Sequence, residues 1–245
     1  MTKNNLKNQL KLLTDNFDLD STKKFKLIVF VGLLGDFDSF EYAINLGKIL
    51  KSDKANELDV SFIAIGNEKG KEKFCKYTKF PQENLKIVCD NKYHNLLGVS
   101  RGLETGLGGW INITLMLLGI GSPRTLQEVF RGYTGDKGSR QIYTDKDQIN
   151  LFNIFKFSGK LFGNSFGNGY LRPMELATFR LENMIEIFKN WRYYMFDTKY
   201  LPQRTCTLIL NQNNEIKYKY FSKDILSYSY NMRSPLNFLS DFIDT

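Results

Sequence analysis

Histidine, cysteine and proline are scarce in this chain, and their scarcity excludes several classes of site. The 245 residues include one histidine, three cysteines and five prolines. His94 and the separated Cys75, Cys89 and Cys206 do not have the ligand spacing of a zinc site. An odd number of dispersed cysteines also argues against a disulfide framework and is typical of a reducing compartment. We therefore expect no metal, no cofactor and a cytoplasmic location.

Long apolar runs are missing as well. The longest, 110–121, is bounded by glycine and is shorter than the roughly 20 residues that a membrane-spanning helix needs. The first residues, "MTKNNLKNQLKLLTDNF", are polar and amphipathic and lack the order of a signal peptide. These features predict a soluble intracellular protein without a transmembrane segment.

Basic residues outnumber acidic ones, 34 to 26, which gives a formal charge of +8. Such an excess favours acidic partners in general, namely nucleic acid, an anionic membrane surface or an acidic protein. No block of five or six basic residues occurs, so a lysine-rich solvated surface is the favoured interpretation. The alternation in "KYKYF", 217–221, is read as a half-buried strand, and no nucleic acid is expected. Binding to nucleic acid or a membrane surface stays as a third alternative, which requires a steep salt dependence.

Strand and helix patterns alternate over the first hundred residues, after a polar helical arm at 1–24. Predicted strands lie at 25–32, 58–66 and 84–89, and predicted helices at 38–51, 69–78 and 92–97. This alternation indicates βαβ units and hence a parallel sheet.

The rest of the chain changes character. A helix is predicted after Ser122-Pro123, a loop at 159–170, an amphipathic helix at 172–191, a hairpin at 205–222 and a terminal helix at 235–242. The predicted apolar stripe of the long helix contains Met174, Ala177, Leu181, Met184, Ile185 and Phe188. The expected fold is a three-layer α/β/α domain over 25–245, with a mixed central sheet and a largely helical insertion at about 103–190.

Familiar catalytic motifs are only approximated. "GNEKGK", 66–71, is one residue short of a phosphate loop, and Glu72 stands where that loop has Ser or Thr. "GLLG", 32–35, lacks the third glycine of a dinucleotide site. "GNSFG", 163–167, has neither the flanking strand and helix nor the downstream histidine of a nucleophile elbow. We reject all three.

The turn "VGLLGDFDSFEYA", 31–43, leads from a predicted strand into a helix N-terminus, which is a common place for chemistry. Asp38 and Glu41 have the spacing of a capping box, in which each side chain accepts from the other residue's backbone N–H. Asp36 adds negative charge near the positive helix end.

Several segments resemble the AhpC/TSA peroxiredoxin-like family of the thioredoxin fold. They are "FKLIVFVGLLGDFDSFEYA", "DVSFIAIGNEKGKEKFCKYTKFP", "LKIVCDNKYHNLLGV" and "QRTCTLILNQNNEIKYKYF". The resemblance covers 25–100 and 200–240 and leaves 103–190 as an insertion of one branch. It implies a thioredoxin-like fold and redox, antioxidant chemistry.

Aligned with the family's redox turn, Gly35 and Glu41 match, but Asp36 and Ser39 occupy the two apparent cysteine positions. Neither side chain can replace a peroxidatic or resolving thiol. Arg204 resembles the arginine that lowers the thiolate pKa in the family, and Pro202 the proline near its active site. Without the thiol, Arg204 is expected to pair with Asp36 or Asp38.

These observations predict a pseudoenzyme that acts by binding a protein partner, or an anionic ligand near Arg204. The alternative is an active thiol peroxidase or oxidoreductase that uses Cys89 or Cys75 and a thioredoxin-type reductant. Cys89 is the better candidate of the two, because it ends a parallel strand, where open-sheet sites gather.

Overall fold

A five-stranded mixed sheet forms the centre of the protein, in a computed structural model that describes residues 13–17, 19, 22–52, 55–152 and 154–243. The strands of this sheet and of two smaller ribbons are, in chain order, β1 Phe25–Leu33, β2 Leu58–Ile65, β3 Leu85–Val88, β4 Asp136–Arg140, β5 Gln148–Leu151, β6 Phe155–Ser158, β7 Tyr170–Leu171, β8 Cys206–Asn211 and β9 Ile216–Phe221. The central sheet has the order β3-β2-β1-β8-β9. The pairs β1–β2 and β2–β3 are parallel, and β1–β8 and β8–β9 are antiparallel. The predicted α/β class with a mixed sheet is confirmed.

Helices connect and cover the strands. They are α1 Phe37–Leu50, α2 Glu68–Thr78, α3 Lys92–Leu97, α4 Gly109–Leu117, α5 Pro123–Thr134, α6 Glu175–Lys189 and α7 Trp191–Tyr194. Single 3₁₀ turns lie at Gln82–Asn84, Gly159–Phe162, Thr198–Tyr200 and Asn237–Leu239. Within the described part of the chain, no helix has the length and apolar character needed to cross a membrane.

Both faces of the sheet are buried, which explains the almost uninterrupted apolar run of β1. Leu27, Val29 and Val31 join one core, which includes side chains of α1 and α2. Ile28 and Phe30 join a second core on the other face, together with Leu97 of α3 and residues near the N-terminus. The turn between β1 and α1 is therefore held from both sides.

The predicted arm at 1–24 lies partly outside the described residues, and its described part differs from the prediction. Leu13, Phe17 and Leu19 are buried in the second core, and the ring of Phe17 packs edge-on against Phe30 and Tyr93. A polar arm was therefore the wrong description of this part, because its few apolar side chains cover one face of the sheet.

The middle of the chain contains strands that the sequence did not indicate. Besides the helices α4, α5 and α6, the segment 103–190 holds two antiparallel ribbons, β4–β7 and β5–β6. The predicted loop at 159–170 likewise contains a 3₁₀ turn and the start of β7. Strands of two to five residues are too short to show a period.

Two predictions about helices were wrong in part. Met174 and Phe188 of the predicted stripe are exposed, and the buried residues of α6 are Glu175, Leu176, Thr178, Asn183, Ile185 and Ile187. This helix contacts α1, α5 and β5, so more than one side of it is covered. Of the predicted terminal helix at 235–242, only the turn Asn237–Leu239 forms.

Candidate functional site

The turn after β1 has a different cap from the one predicted. Helix α1 begins one residue earlier, with Asp36 at the N-cap and without a side-chain capping hydrogen bond. The proposed capping box of Asp38 and Glu41 was wrong, because Glu41 accepts instead from Arg180 at 2.8 Å. The Ser39 hydroxyl donates to the carbonyl oxygen at the end of β1. The acidic side chains of the turn are thus engaged by arginines rather than by the helix N-terminus.

Arg204, immediately before β8, brings the turn and the C-terminal strands together. Its Nη2 donates to Asp36 Oδ2 at 2.8 Å, and its Nη1 donates to Asp38 Oδ2 at 3.0 Å. Its Nε donates to the carbonyl oxygen of Pro202, which follows a cis peptide bond, and Nη1 also donates to that of Asp224. Arg204 is completely buried, with a relative exposure of 0%. Four of its five N–H groups are therefore committed inside the protein.

Two carboxyl groups face this single guanidinium, and burial decides their protonation. Burial raises the pKa of Asp38 to about 8, with the charges of Asp36 and Glu41 adding to the shift and that of Arg204 opposing it. Burial raises the pKa of Asp36 as well, again against the charge of Arg204. Since Arg204 stabilises one ionised carboxylate, the pair holds one proton near neutral pH, and we assign it to Asp38. The Oδ1 atoms of Asp36 and Asp38 both lack a hydrogen-bond partner among the described residues.

A second buried arginine links the turn to the inserted helices. Arg180 of α6 pairs with Glu41 of α1 at 2.8 Å and with Glu128 of α5 at 3.3 Å. Glu128 also pairs with Arg131, and the Tyr228 hydroxyl donates to Glu41. No sequence pattern indicates this link, because a charged residue on an amphipathic helix is normally taken to face water.

The segment after α7 covers the turn. The Gly35 N–H donates to the carbonyl oxygen of Tyr194 at 3.2 Å, and a Cβ at Gly35 would lie 2.6 Å from Met195 Sδ. A Cβ at Gly32 would lie 2.6 Å from the carbonyl oxygen of Gln203. At Gly32 the collision is with backbone, so this position needs glycine, whereas a side chain at Gly35 would have to displace the side chain of Met195. The turn is closed.

Of the three cysteines, two are buried. Burial raises the pKa of the Cys75 thiol in α2 to about 11 and raises that of Cys206 in β8 further. Cys89 is exposed just after β3. Asn91 donates to the side chain of Gln203 at 3.1 Å, which places the loop after β3 beside the residues that precede β8. Cys89 therefore lies near the turn in the fold but outside the charged cluster.

His94 is a packing residue. It is fully buried and its Nε2 lies 2.8 Å from the carbonyl oxygen of Val31. Burial lowers its pKa to about 4. Among the described residues, no three His, Cys, Asp or Glu side chains are placed to hold a metal ion.

Two surface grooves, of about 320 and 640 Å³, lie at the ends of α1 and α2 and share Lys51 and Lys79. Lysines at helix C-termini offset the negative ends of the helix dipoles, which accounts for this basic surface without a ligand. Neither groove is lined by Asp36, Asp38 or Arg204.

Comparison of the chain with protein-family models, with curated proteins and with solved structures finds no match in any of the three.

Proposed function

We propose that the chain is a thioredoxin-fold, peroxiredoxin-like protein that has lost thiol chemistry at its redox turn and acts by binding. The observation that carries this proposal is the state of Arg204, which is buried and paired with Asp36 and Asp38. In the family that the sequence resembles, the corresponding arginine lowers the pKa of a cysteine thiol. Here the turn contributes carboxylates instead, and the arginine neutralises them.

The topology supports the thioredoxin-like assignment. Parallel β1 and β2 lie beside the antiparallel hairpin β8–β9, with β1 next to β8. Helices α1 and α2 follow the first two strands, and the inserted segment enters between α3 and β8. This is the order of elements that the resemblance implies, and its third strand, β3, lies at the edge beside β2.

The closure of the turn supports a non-catalytic role. A peroxide must reach a thiolate through a path open to solvent, whereas Asp36 and Asp38 are each about 1% exposed. The commitment of Arg204 also argues against the anionic ligand that was considered near it, since an entering anion would have to displace two carboxylates.

A binding role needs a surface, and the inserted helices supply exposed apolar side chains. Trp110 of α4 stacks on Trp191 at 4.9 Å between ring centroids; Trp110 is exposed, and Trp191 is half-buried against the core. Other large side chains from the same part of the sequence are also exposed, namely Leu118, Phe130 and Tyr133. Large exposed apolar groups of this kind are common at interaction surfaces.

Cys89 keeps the enzymatic alternative testable, because it is exposed, whereas Cys75 is buried with a raised pKa. The test is peroxide consumption coupled to NADPH through thioredoxin and its reductase, with an active peroxiredoxin as the positive control. We expect no turnover from the wild type or from Cys75→Ser and Cys89→Ser. Turnover that Cys89→Ser abolishes would overturn the proposed function and establish the thiol peroxidase.

A further inference from the structure

The ribbon β5–β6 carries exposed apolar side chains at the end where its two strands are joined. Leu151 pairs with Phe155 at the far end and Ile149 with Phe157 nearer the base, so these four side chains share one face. Ile149 is buried, but Phe155 is 63% exposed, and Phe152 and Ile154 beyond it are 52% and 75% exposed. We call Phe152, Ile154 and Phe155 the ribbon tip.

The base of the ribbon is firmly held. Phe162 packs edge-on against Phe157, stacks with Tyr143 and lies under the guanidinium of Arg172. The Gly159 N–H donates to the backbone carbonyl of residue 147. The ribbon tip is therefore presented by a braced ribbon, and its exposure follows from the fold.

The charge that the ribbon itself carries is positive, and the carboxylate of Glu182 in α6 lies beside Asn150 of β5. From Gln148 to Met174 the sequence contains no Asp or Glu, while Lys156 and Lys160 are exposed. Lys146, near the base, is exposed too. Two carboxylates precede the ribbon: Asp145, which pairs with Arg172 at 2.8 Å, and Asp147, which accepts from the Thr144 N–H.

We propose that the ribbon tip inserts into the interfacial layer of a membrane with anionic headgroups, and that Lys156 and Lys160 contact those headgroups. A protein interface is less suitable, because a stable one buries about 1,200–2,000 Å² and three side chains on a narrow ribbon supply only a small part of that. Interfacial binding needs only a shallow insertion of roughly 5–10 Å, and four-residue strands of about 13 Å reach that depth. Positive charge beside the inserted groups adds attraction to anionic lipids.

This inference rests on the proposed binding role and gives it a partner, but the two fail separately. Peroxide turnover would refute the proposed function and leave vesicle binding unaffected. A lack of vesicle binding would refute the inference and leave the loss of thiol chemistry unaffected.

The test is co-sedimentation of the full chain with vesicles of phosphatidylcholine containing phosphatidylserine, and with vesicles of phosphatidylcholine alone. We expect binding to the anionic vesicles that weakens at least about tenfold between low and high salt. Ile154→Ser with Phe155→Ser, and separately Lys156→Gln with Lys160→Gln, should each weaken binding by about tenfold or more. The exposed Leu107→Ser and Lys69→Gln serve as matched controls and should bind like the wild type.

All variants change exposed side chains, so an unchanged circular dichroism spectrum and unfolding midpoint verify the fold. Four results would overturn the inference: no binding of the wild type to anionic vesicles, equal binding to neutral vesicles, full binding by the ribbon-tip variant, or an equal loss in Leu107→Ser. Self-association that the ribbon-tip substitutions abolish would also overturn it, since a second copy of the chain would then be the occupant.

Discussion

Arg204 shows how strongly one buried side chain can depend on its partners. Removing its charge leaves the ionised carboxylate of Asp36 buried without a counter-ion, which in comparable buried pairs costs about 3–5 kcal/mol. We expect Arg204→Met to lower the free energy of unfolding by about that amount in urea titrations.

Two further variants separate this effect from a general packing defect. Combining Arg204→Met with Asp36→Asn and Asp38→Asn removes the whole set of charges and should restore much of the loss. Lys24→Met breaks the exposed pair with Glu57, at 3.3 Å, and should change stability by no more than about 1 kcal/mol. A loss in Arg204→Met as small as that of Lys24→Met would contradict the buried-pair interpretation.

The protonated state of Asp38 makes stability depend on pH. Its pKa is about 8 in the folded protein against 3.8 as the ordinary value, so the folded state holds a proton that the unfolded chain releases. The stabilisation is therefore complete below pH 4 and is lost as pH rises through about 8, with a slope of at most about 1.4 kcal/mol per pH unit. His94 contributes in the opposite sense, losing stability as pH falls from 6.5 towards 4.

At each pH the contribution of His94 is the same in the wild type and in Asp38→Asn, so the difference between the two proteins isolates Asp38. We expect the unfolding free energy of the wild type to decrease from pH 6.5 to 8 and that of Asp38→Asn to show a flatter dependence. Equal slopes for the two proteins, measured by urea unfolding at several pH values, would show that Asp38 is ionised in the folded state.

Among the elements, those with a repeating local pattern were predictable and the others were not. β1, α1, β2 and α2 follow their predicted ranges to within about two residues, because apolar runs and helical spacing are local signals. The ribbons β4–β7 and β5–β6 are held by side chains distant in sequence. Similarly, the sequence was sufficient to predict Asp36, Asp38 and Arg204 as site residues. Arg180 could not be predicted, because it reaches the site only through the packing of α6 against α1 and α5.

Glu175 at the start of α6 organises the inserted ribbons. Its carboxylate accepts from the N–H groups of Ile142 and Tyr143 and from Arg172, and it is fully buried. We expect Glu175→Ala to cost about 1–3 kcal/mol, since it leaves buried donors unsatisfied. Amide hydrogen exchange should accelerate at Ile142 and Tyr143, while β1 keeps its protection.

The exposed Glu68 occupies the first turn of α2 and is a matched control for Glu175. Its replacement by alanine removes a favourable charge at a helix N-terminus, an effect of only about 0.3–1 kcal/mol. If amide exchange accelerates only in the helical turn that carries the substitution, in Glu175→Ala as in Glu68→Ala, Glu175 does not hold the ribbons.

At the scale of the whole molecule, the inserted helices and the sheet should unfold together. Arg180 joins α6 to both α1 and α5, and the segment after α7 covers the turn at the end of β1. Trp110 and Trp191 are the two tryptophans of the chain and stack on each other, so their fluorescence reports the inserted region, whereas far-ultraviolet circular dichroism reports all elements. We expect the two signals to show coincident unfolding transitions in the wild type.

Arg180→Met should separate the signals, because it removes the counter-ion of Glu41 and with it the ion pair that joins α1 to α6. The fluorescence transition is then expected at lower denaturant than the circular dichroism transition. Arg101→Met, which breaks the exposed pair of Arg101 with Glu104, should leave the transitions coincident. If the two transitions also coincide in Arg180→Met, apolar packing alone couples the insertion to the sheet. If they are already separate in the wild type, the insertion is an independently unfolding unit.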